Sequence, residues 1–345
     1  MTLQIGIIGA GTVVRVRHLP ETQSNPLTKV AAICDIVESR VNEMAAQYDC
    51  KAYTDYKDLV QDPEIDAVIV AATNTTHAEM SIAALNAGKH VLCEKPMATN
   101  LADAKNMVEA ARKSGKQLMI AHNQRLENAH IKAKALIDEG KIGKILTFTS
   151  VFGHPGSEDW AIDGENTWFY KKDITGLGVL GDLAIHKLDL VRWLIDDDYS
   201  EAMAMLGTLS KTYPNGELID VEDNAVCLLT TKKGFLGTMI ASWSYQKEEN
   251  STKIYGQKGV MEINTHPDYP LVIHYDHEHA EFHKTGKQST NVEQVKSGVM
   301  DAFADALLNE KEVPIPGIEG YKALEAVIAC QESFLNGRKI KIESN

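Results

Sequence analysis

The chain has 345 residues, 44% of them hydrophobic and 24% charged, and a formal net charge of −13. That length suits two domains of ~100–200 residues each. The acidic balance argues against a nucleic-acid partner, which needs basic surface to neutralise phosphates, and no segment approaches the ~18 consecutive apolar residues of a membrane span.

The N-terminus runs straight into an apolar strand pattern, without the basic flank and cleavage site of a signal peptide. Apolar runs then recur at Leu3–Ile8, Lys29–Cys34, Ala67–Ala72, His90–Cys93 and Gln117–Ala121. Stretches of helical period separate them, among them Glu38–Tyr48, His77–Ala87 and Leu101–Ser114, with Gly88 and Gly115 placed as helix C-caps. Continuous apolar strands alternating with helices predict a doubly wound parallel sheet covered on both faces, ending near residue 122. The five cysteines, Cys34, Cys50, Cys93, Cys227 and Cys330, are scattered and lack zinc-type spacing. They point to a reducing cytoplasm and to no metal centre.

The remainder, residues 123–345, reads differently. Ala129–Glu139, Leu180–Ile195, Val292–Leu308 and Ile318–Leu335 have helical period. Ile145–Phe152, Ala202–Leu209, Asn224–Thr231, Phe235–Trp243, Thr252–Tyr255 and Val260–Ile263 read as strands, with turn signals at Pro214-Asn215-Gly216 and Lys232-Lys233-Gly234. Consecutive strands with short turns predict a mostly antiparallel sheet. His266, His274, His277, His279 and His283 form a histidine-rich stretch, but nothing in their spacing fixes a ligand geometry, and a solvated strand and turn is the simpler reading.

Gly9-Ala10-Gly11-Thr12-Val13-Val14 lies where the first strand gives way to a helix. In a dinucleotide-binding turn the first glycine permits a tight bend and the second admits a pyrophosphate to the helix N-terminus. Val14 stands where a third small residue is usual, which would push helix and strand slightly apart. Asp35 ends the second apolar run, 21 residues beyond Val14. A carboxylate there accepts the ribose hydroxyls of an adenosine and repels a 2′-phosphate, which favours NAD over NADP. Arg40 follows one turn later. The competing reading is that Asp35 merely N-caps the next helix.

Asp182 and His186 are spaced i, i+4, which places both on one face of a helix, with Asp189 nearly aligned. A carboxylate beside an imidazole raises its basicity, and an imidazole suits removal of a hydroxyl proton. Lys95 follows a parallel strand, where open α/β sheets place their ligands, and its ammonium can stabilise a developing alkoxide. A surface Asp–His pair at a helix end is the plainer alternative.

Glu94-Lys95-Pro96 and the segment Gly176-Leu-Gly-Val-Leu-Gly-Asp182…His186…Asp189, together with the glycine loop, resemble the Gfo/Idh/MocA family. The likeness extends to Ala72-Thr73-Asn74 with His77, to Asn123 with Arg125, and to Gly256-Gln-Lys-Gly259. Departures are Val14 and the absence of a proline at Thr73-Asn74-Thr75. The resemblance implies a Rossmann domain followed by an α/β domain with a large open sheet. It implies a cytoplasmic homodimer or homotetramer that uses NAD to transfer hydride at a hydroxyl carbon of a sugar, polyol or related compound. It implies that Lys95, Asp182 and His186 are catalytic, with His186 as general acid/base, Lys95 as orienting cation and Asp182 orienting substrate or His186. Thr12, Val13, Thr73, Asn74, His77, Glu94, Pro96 and Asn123 become cofactor candidates. Arg125, His154, Trp168, Tyr170 and Asp189 become substrate candidates, the aromatics because rings stack on sugar faces. A dinucleotide-binding regulator and an NAD-dependent glycosidase are the other activities open to such a chain.

Overall fold

The computed structural model describes residues 2–286 and 296–343. The apolar runs of the first third become β1 (Leu3–Ile8), β2 (Thr28–Cys34), β4 (Ala67–Val70), β5 (His90–Cys93) and β6 (Leu118–Ile120). With β3 (Lys51–Tyr53) they form a six-stranded sheet of order 3-2-1-4-5-6, parallel throughout. The third strand gave no apolar run because it is a three-residue edge with Lys51 and Ala52 exposed. Strand order reverses between β1 and β4, and the crevice beyond their C-terminal ends is where such sheets bind ligands.

Helices α1 (Leu19–Ser24), α2 (Glu38–Tyr48), α3 (Tyr56–Gln61), α4 (His77–Asn86) and α5 (Leu101–Ser114) connect the strands. Their limits follow from local chemistry. The Asn100 side chain accepts a 2.9 Å hydrogen bond from the Asp103 N–H at the start of α5, and Gly115 closes it with φ 66°. The helix after the glycine loop opens with a π turn, Val14–His18. That turn begins at Val14, which is fully buried. Such turns recur at functional sites.

The second sheet has nine strands: β7 (Ile145–Gly153), β8 (Tyr199–Gly207), β9 (Asn224–Thr231), β10 (Leu236–Ser242), β11 (Glu249–Gly256), β12 (Val260–Ile263), β13 (Leu271–His274), β14 (Ala280–His283) and β15 (Ile340–Lys341), in the order 14-13-12-11-7-10-9-8-15. Its pairings are antiparallel except that of β7 with β10. The helices of this region are α6 (Asn128–Asp138), α7 (Lys172–Thr175), α8 (Ile185–Ile195), α9 (Val299–Leu308) and α10 (Gly317–Asn336). Residues 292–295, expected to be helical, lie outside the described residues. α8 packs on β7 and α10 on β8. The opposite face is open, so Val226 and Leu228 of β9 are exposed while Ala225, Cys227 and Leu229 between them are buried.

Two features depart from the expected layout. The helix expected over 180–195 is a π turn, Leu180–Ala184, that passes into α8. The chain also returns to its first sheet near the end. The Ile120 N–H donates to the Ile315 carbonyl at 2.9 Å, and α10 packs on both β6 and α5. A division at residue 122 therefore leaves the stretch around 315–320 on the Rossmann side.

Candidate active site

The glycine loop is shaped by what its residues cannot carry. Gly9 has φ 108°, and an added Cβ would sit 2.3 Å from the Ala71 carbonyl oxygen, so only glycine fits. At Gly11 an added Cβ would meet no atom within 4 Å, because this residue faces a cleft of about 820 Å³. The first N–H groups of the helix have no partners one turn back, which suits an anion. Asp35 accepts the Ala10 N–H and the Val37 N–H, both at 2.9 Å, and lies 3.5 Å from Arg40. Val37, not Asp35, is the N-cap of α2. Asp35 braces the loop and also borders the cleft, as does Arg40.

Thr73, Asn74 and His77 form another wall. Asn74 does not cap its helix; its amide donates to the Thr175 carbonyl at 3.1 Å and so ties the loop after β4 to the second domain. The two ring nitrogens of His77 face the carbonyls of Pro96 (2.8 Å) and Ala72 (3.2 Å), which fastens the loops after β4 and β5 to each other. Glu94 and Lys95 lie at the far end of the same cleft. Cleft size, an open Gly11 and a carboxylate at Asp35 together fit a dinucleotide. Thr12, Val13, Asp35 and Thr73 line that cleft.

Lys95 follows β5, and the bond from it to Pro96 is cis. Its ammonium donates to the Asp182 carboxylate at 2.7 Å and to the Asp182 carbonyl at 3.0 Å. The second carboxylate oxygen of Asp182 accepts the Trp243 indole N–H at 2.9 Å. Burial works against charge on Asp182, but Lys95, His154 and the indole N–H hold its carboxyl below the usual range. Glu94 is held down to about 2: burial opposes ionisation, and the 2.8 Å hydrogen bond to His18 with the charges of Arg17 and Lys95 outweighs it.

Asp182 and His186 do not pair as the i, i+4 spacing predicts. Asp182 lies within the π turn, which rotates it relative to α8, and both its oxygens are taken by Lys95 and Trp243. Its carboxylate makes no hydrogen bond with His186. The His186 ring instead packs edge-on to Phe152 with centroids 5.8 Å apart, and its Nδ1 is buried without a hydrogen-bond partner among the described residues. Burial, then the charges of Lys95, His122, Arg17 and Lys187, push its pKa well below the ordinary value. The imidazole is therefore held in its neutral form.

Arg125 and Asp189 face each other rather than the cleft. The guanidinium donates to both Asp189 oxygens, at 2.7 and 2.5 Å, and to Glu319 at 2.9 Å, with Arg125 and Asp189 4% and 1% exposed. This buried bidentate pair commits Nε and one Nη of Arg125 and both Asp189 oxygens, and neither residue is among those that line the cleft. Tyr170 is also buried, donating its hydroxyl to Glu158. Trp168 does line the cleft, stacked on Phe169 at 4.0 Å. Buried His154 accepts the Gly156 N–H at 3.0 Å, and the Asn123 amide oxygen is buried without a hydrogen-bond partner among the described residues. In the histidine-rich stretch, His279 bonds Asp276 at 2.8 Å and His283 lies 3.6 Å from Glu281.

Sequence reasoning missed Trp160, Trp243 and the His18–Glu94 pair. Trp243 lies 61 positions from the carboxylate it serves, and no local pattern marks such a contact.

Comparisons with known proteins follow the same lines. Residues 3–122 match the family described as "Oxidoreductase family, NAD-binding Rossmann fold", and residues 130–262 match "GFO/IDH/MocA C-terminal domain". The uncharacterized oxidoreductase YrbE of Bacillus subtilis is 30% identical over 99% of this chain and 98% of its own. The myo-inositol 2-dehydrogenase of Thermotoga maritima is 28% identical over 99% of both. A levoglucosan dehydrogenase solved with NADH and levoglucosan superposes with TM-score 0.86 at 24% identity over 100% of both chains. Two domain matches in series, on a sheet order and a glycine loop built for a dinucleotide, place this chain in the Gfo/Idh/MocA family as an NAD-dependent oxidoreductase that acts on alcohol groups.

Proposed function

We propose that this protein oxidises a hydroxyl of a sugar, polyol or sugar derivative, or reduces the corresponding carbonyl, where Lys95 and Asp182 border the NAD cleft. The observation that carries this reading is the Lys95 ammonium, fixed by Asp182 at 2.7 Å at the inner end of that cleft. Bound NAD supplies the hydride acceptor. Lys95 orients the substrate oxygen and stabilises negative charge on it. Asp182, kept ionised, sets the position of Lys95. His186, neutral and with Nδ1 buried, receives the hydroxyl proton on its other nitrogen. The names of relatives, myo-inositol 2-dehydrogenase and levoglucosan dehydrogenase, support a polyol or sugar substrate.

A screen of inositols, hexoses and anhydrosugars for NADH production tests this directly. Absence of turnover on all of them, with NAD+ still bound, would sink the substrate class. Release of an aryl glycoside's aglycone without net NADH would favour glycosidase chemistry instead. Asp35→Ser is expected to raise the Kd for NAD+ about tenfold through loss of hydrogen bonds to a charged acceptor, and to narrow the preference over NADP+. Titration of both cofactors checks this, and an unchanged NAD+/NADP+ ratio would overturn the role of Asp35.

We also propose that the chain forms a homodimer or homotetramer through the open face of the nine-stranded sheet. Met203, Met205, Val226, Leu228 and Leu236 are exposed there, and clustered exposed apolar side chains mark interaction surfaces. Light scattering that returned a monomer would refute this.

A further inference from the structure

The sequence gives no reason to connect residues 157–164 with the cofactor, yet they form its second-domain wall. Trp160, Ala161, Ile162 and Asp163 line the same cleft as the glycine loop. The Thr12 hydroxyl, inside that loop, donates to the Trp160 carbonyl at 3.2 Å, joining segments 148 positions apart. Trp160 lies edge-on to Phe169 with centroids 5.2 Å apart, and its indole N–H is buried with no hydrogen-bond partner among the described residues. Ile162 is 46% exposed and Ile36 is 89% exposed, and both border the cleft.

The turn is built rather than loose. The Trp160 and Ala161 N–H groups both donate to the Ser157 carbonyl, at 3.2 and 2.8 Å. At its base Glu158 accepts from both Lys211 and the Tyr170 hydroxyl, and Lys211 also bonds the Pro155 carbonyl. The Tyr213 hydroxyl fastens the Tyr170 carbonyl at 2.9 Å. A side chain such as Ile162, left in water at the rim of a cleft by a turn this well anchored, gains only if something apolar covers it.

We propose that the turn at residues 157–164 is a clasp that binds the dinucleotide from the second domain, with Trp160 and Ile162 as its contact residues. The Thr12–Trp160 hydrogen bond closes it over the glycine loop, where the pyrophosphate would lie. Ile162 covers the adenosine half from the side opposite Ile36. The unpartnered indole N–H offers a donor to a cofactor oxygen. NADH release then requires the clasp to lift, so cofactor exchange is slower than an open crevice would allow. The inference rests on NAD binding in this cleft.

The test uses the full chain and NADH as probe. NADH dissociation is followed by stopped-flow fluorescence with excess NAD+ as the chase, beside equilibrium titrations with NADH, ADP-ribose and nicotinamide mononucleotide. Ile162→Ser touches an exposed side chain and spares the fold. It is expected to raise the NADH dissociation rate and Kd about fivefold, for the lost apolar cover. Trp160→Phe keeps the ring and removes the N–H, with an expected rise of about tenfold. ADP-ribose affinity should fall in parallel, nicotinamide mononucleotide affinity should not, and the Tm of the cofactor-free protein should stay unchanged. The proposal is overturned if both variants release NADH within twofold of the wild-type rate. Failure of the wild type to bind NADH at all would instead refute the cofactor site itself.

Discussion

Replacing Lys95 with alanine is expected to lower kcat/KM by ~10³-fold, about 4 kcal/mol of transition-state stabilisation, while the Kd for NAD+ moves by less than about fivefold. The geometry separates the two quantities. Lys95 touches only the inner end of the cleft, whereas the glycine loop and Asp35 hold the other end. Loss of the ammonium has two consequences for chemistry. The substrate oxygen loses the cation that stabilises it as its proton leaves. Asp182, 5% exposed, keeps the Trp243 indole N–H but loses its charged partner, so its carboxyl shifts toward the protonated form. Lys95→Arg restores charge but not the compact geometry of an ammonium that bonds both the carboxylate and the carbonyl of one residue. It should recover little kcat. His186→Ala is expected to cost ~10²-fold or more in kcat, the usual scale for a general base. Steady-state kinetics with saturating NAD+ decide the matter. A Lys95→Ala enzyme within tenfold of wild type would show that the ion pair with Asp182 is structural only.

Much of this was legible from local pattern, and the limits are physical. Buried parallel strands announce themselves as unbroken apolar runs, so β1, β2, β4, β5 and β6 could be placed within three residues. β3, β14 and β15 are four residues or shorter and carry no such run, and the run in β13, Leu271–Ile273, is only three residues long. The glycine loop and Asp35 were readable because a single turn has to satisfy several constraints at once. Side-chain partners were not. The i, i+4 rule assumes 3.6 residues per turn, and the π turn at Leu180–Ala184 breaks that assumption where Asp182 sits. Arg125 was a substrate candidate because it follows the sixth strand and shares the family likeness, and nothing in the sequence shows that it pairs with Asp189, 64 positions away. The family resemblance brought Lys95, Asp182 and His186 together. Only the fold shows that the carboxylate serves the lysine rather than the histidine.

Acid is expected to unfold this protein at a higher pH than its carboxylates alone would dictate. His90 and His122 have their pKa pushed down from 6.5 to about 4, and His130 to about 3, with burial the leading cause in each. Burial shifts His77, His154 and His186 the same way. The folded chain cannot take up protons that the unfolded chain binds below pH ~6.5. The stability tied to these rings is therefore whole above that pH and is lost progressively as pH falls toward 4. For His122, 1% exposed, the full shift corresponds to about 3 kcal/mol. Glu94, held at about 2, adds its loss only at lower pH, once its unfolded counterpart begins to protonate. Glu127 opposes the trend: burial raises its pKa to about 7, so the folded state protonates first and gains stability as pH falls through that range. One such carboxylate does not offset six histidines. Tm is expected to drop by more than about 10 °C between pH 6.5 and pH 5. His122→Leu isolates the cause, because both ring nitrogens of His122 are buried without a hydrogen-bond partner among the described residues, Nε2 lies 3.9 Å from Asp189, and Asp189 keeps Arg125. The variant should gain on wild type by more at pH 5 than at pH 7.5, since it no longer carries a ring that only the unfolded chain can charge. Parallel Tm–pH curves for the two proteins would show that burial of this histidine contributes nothing to the acid limb.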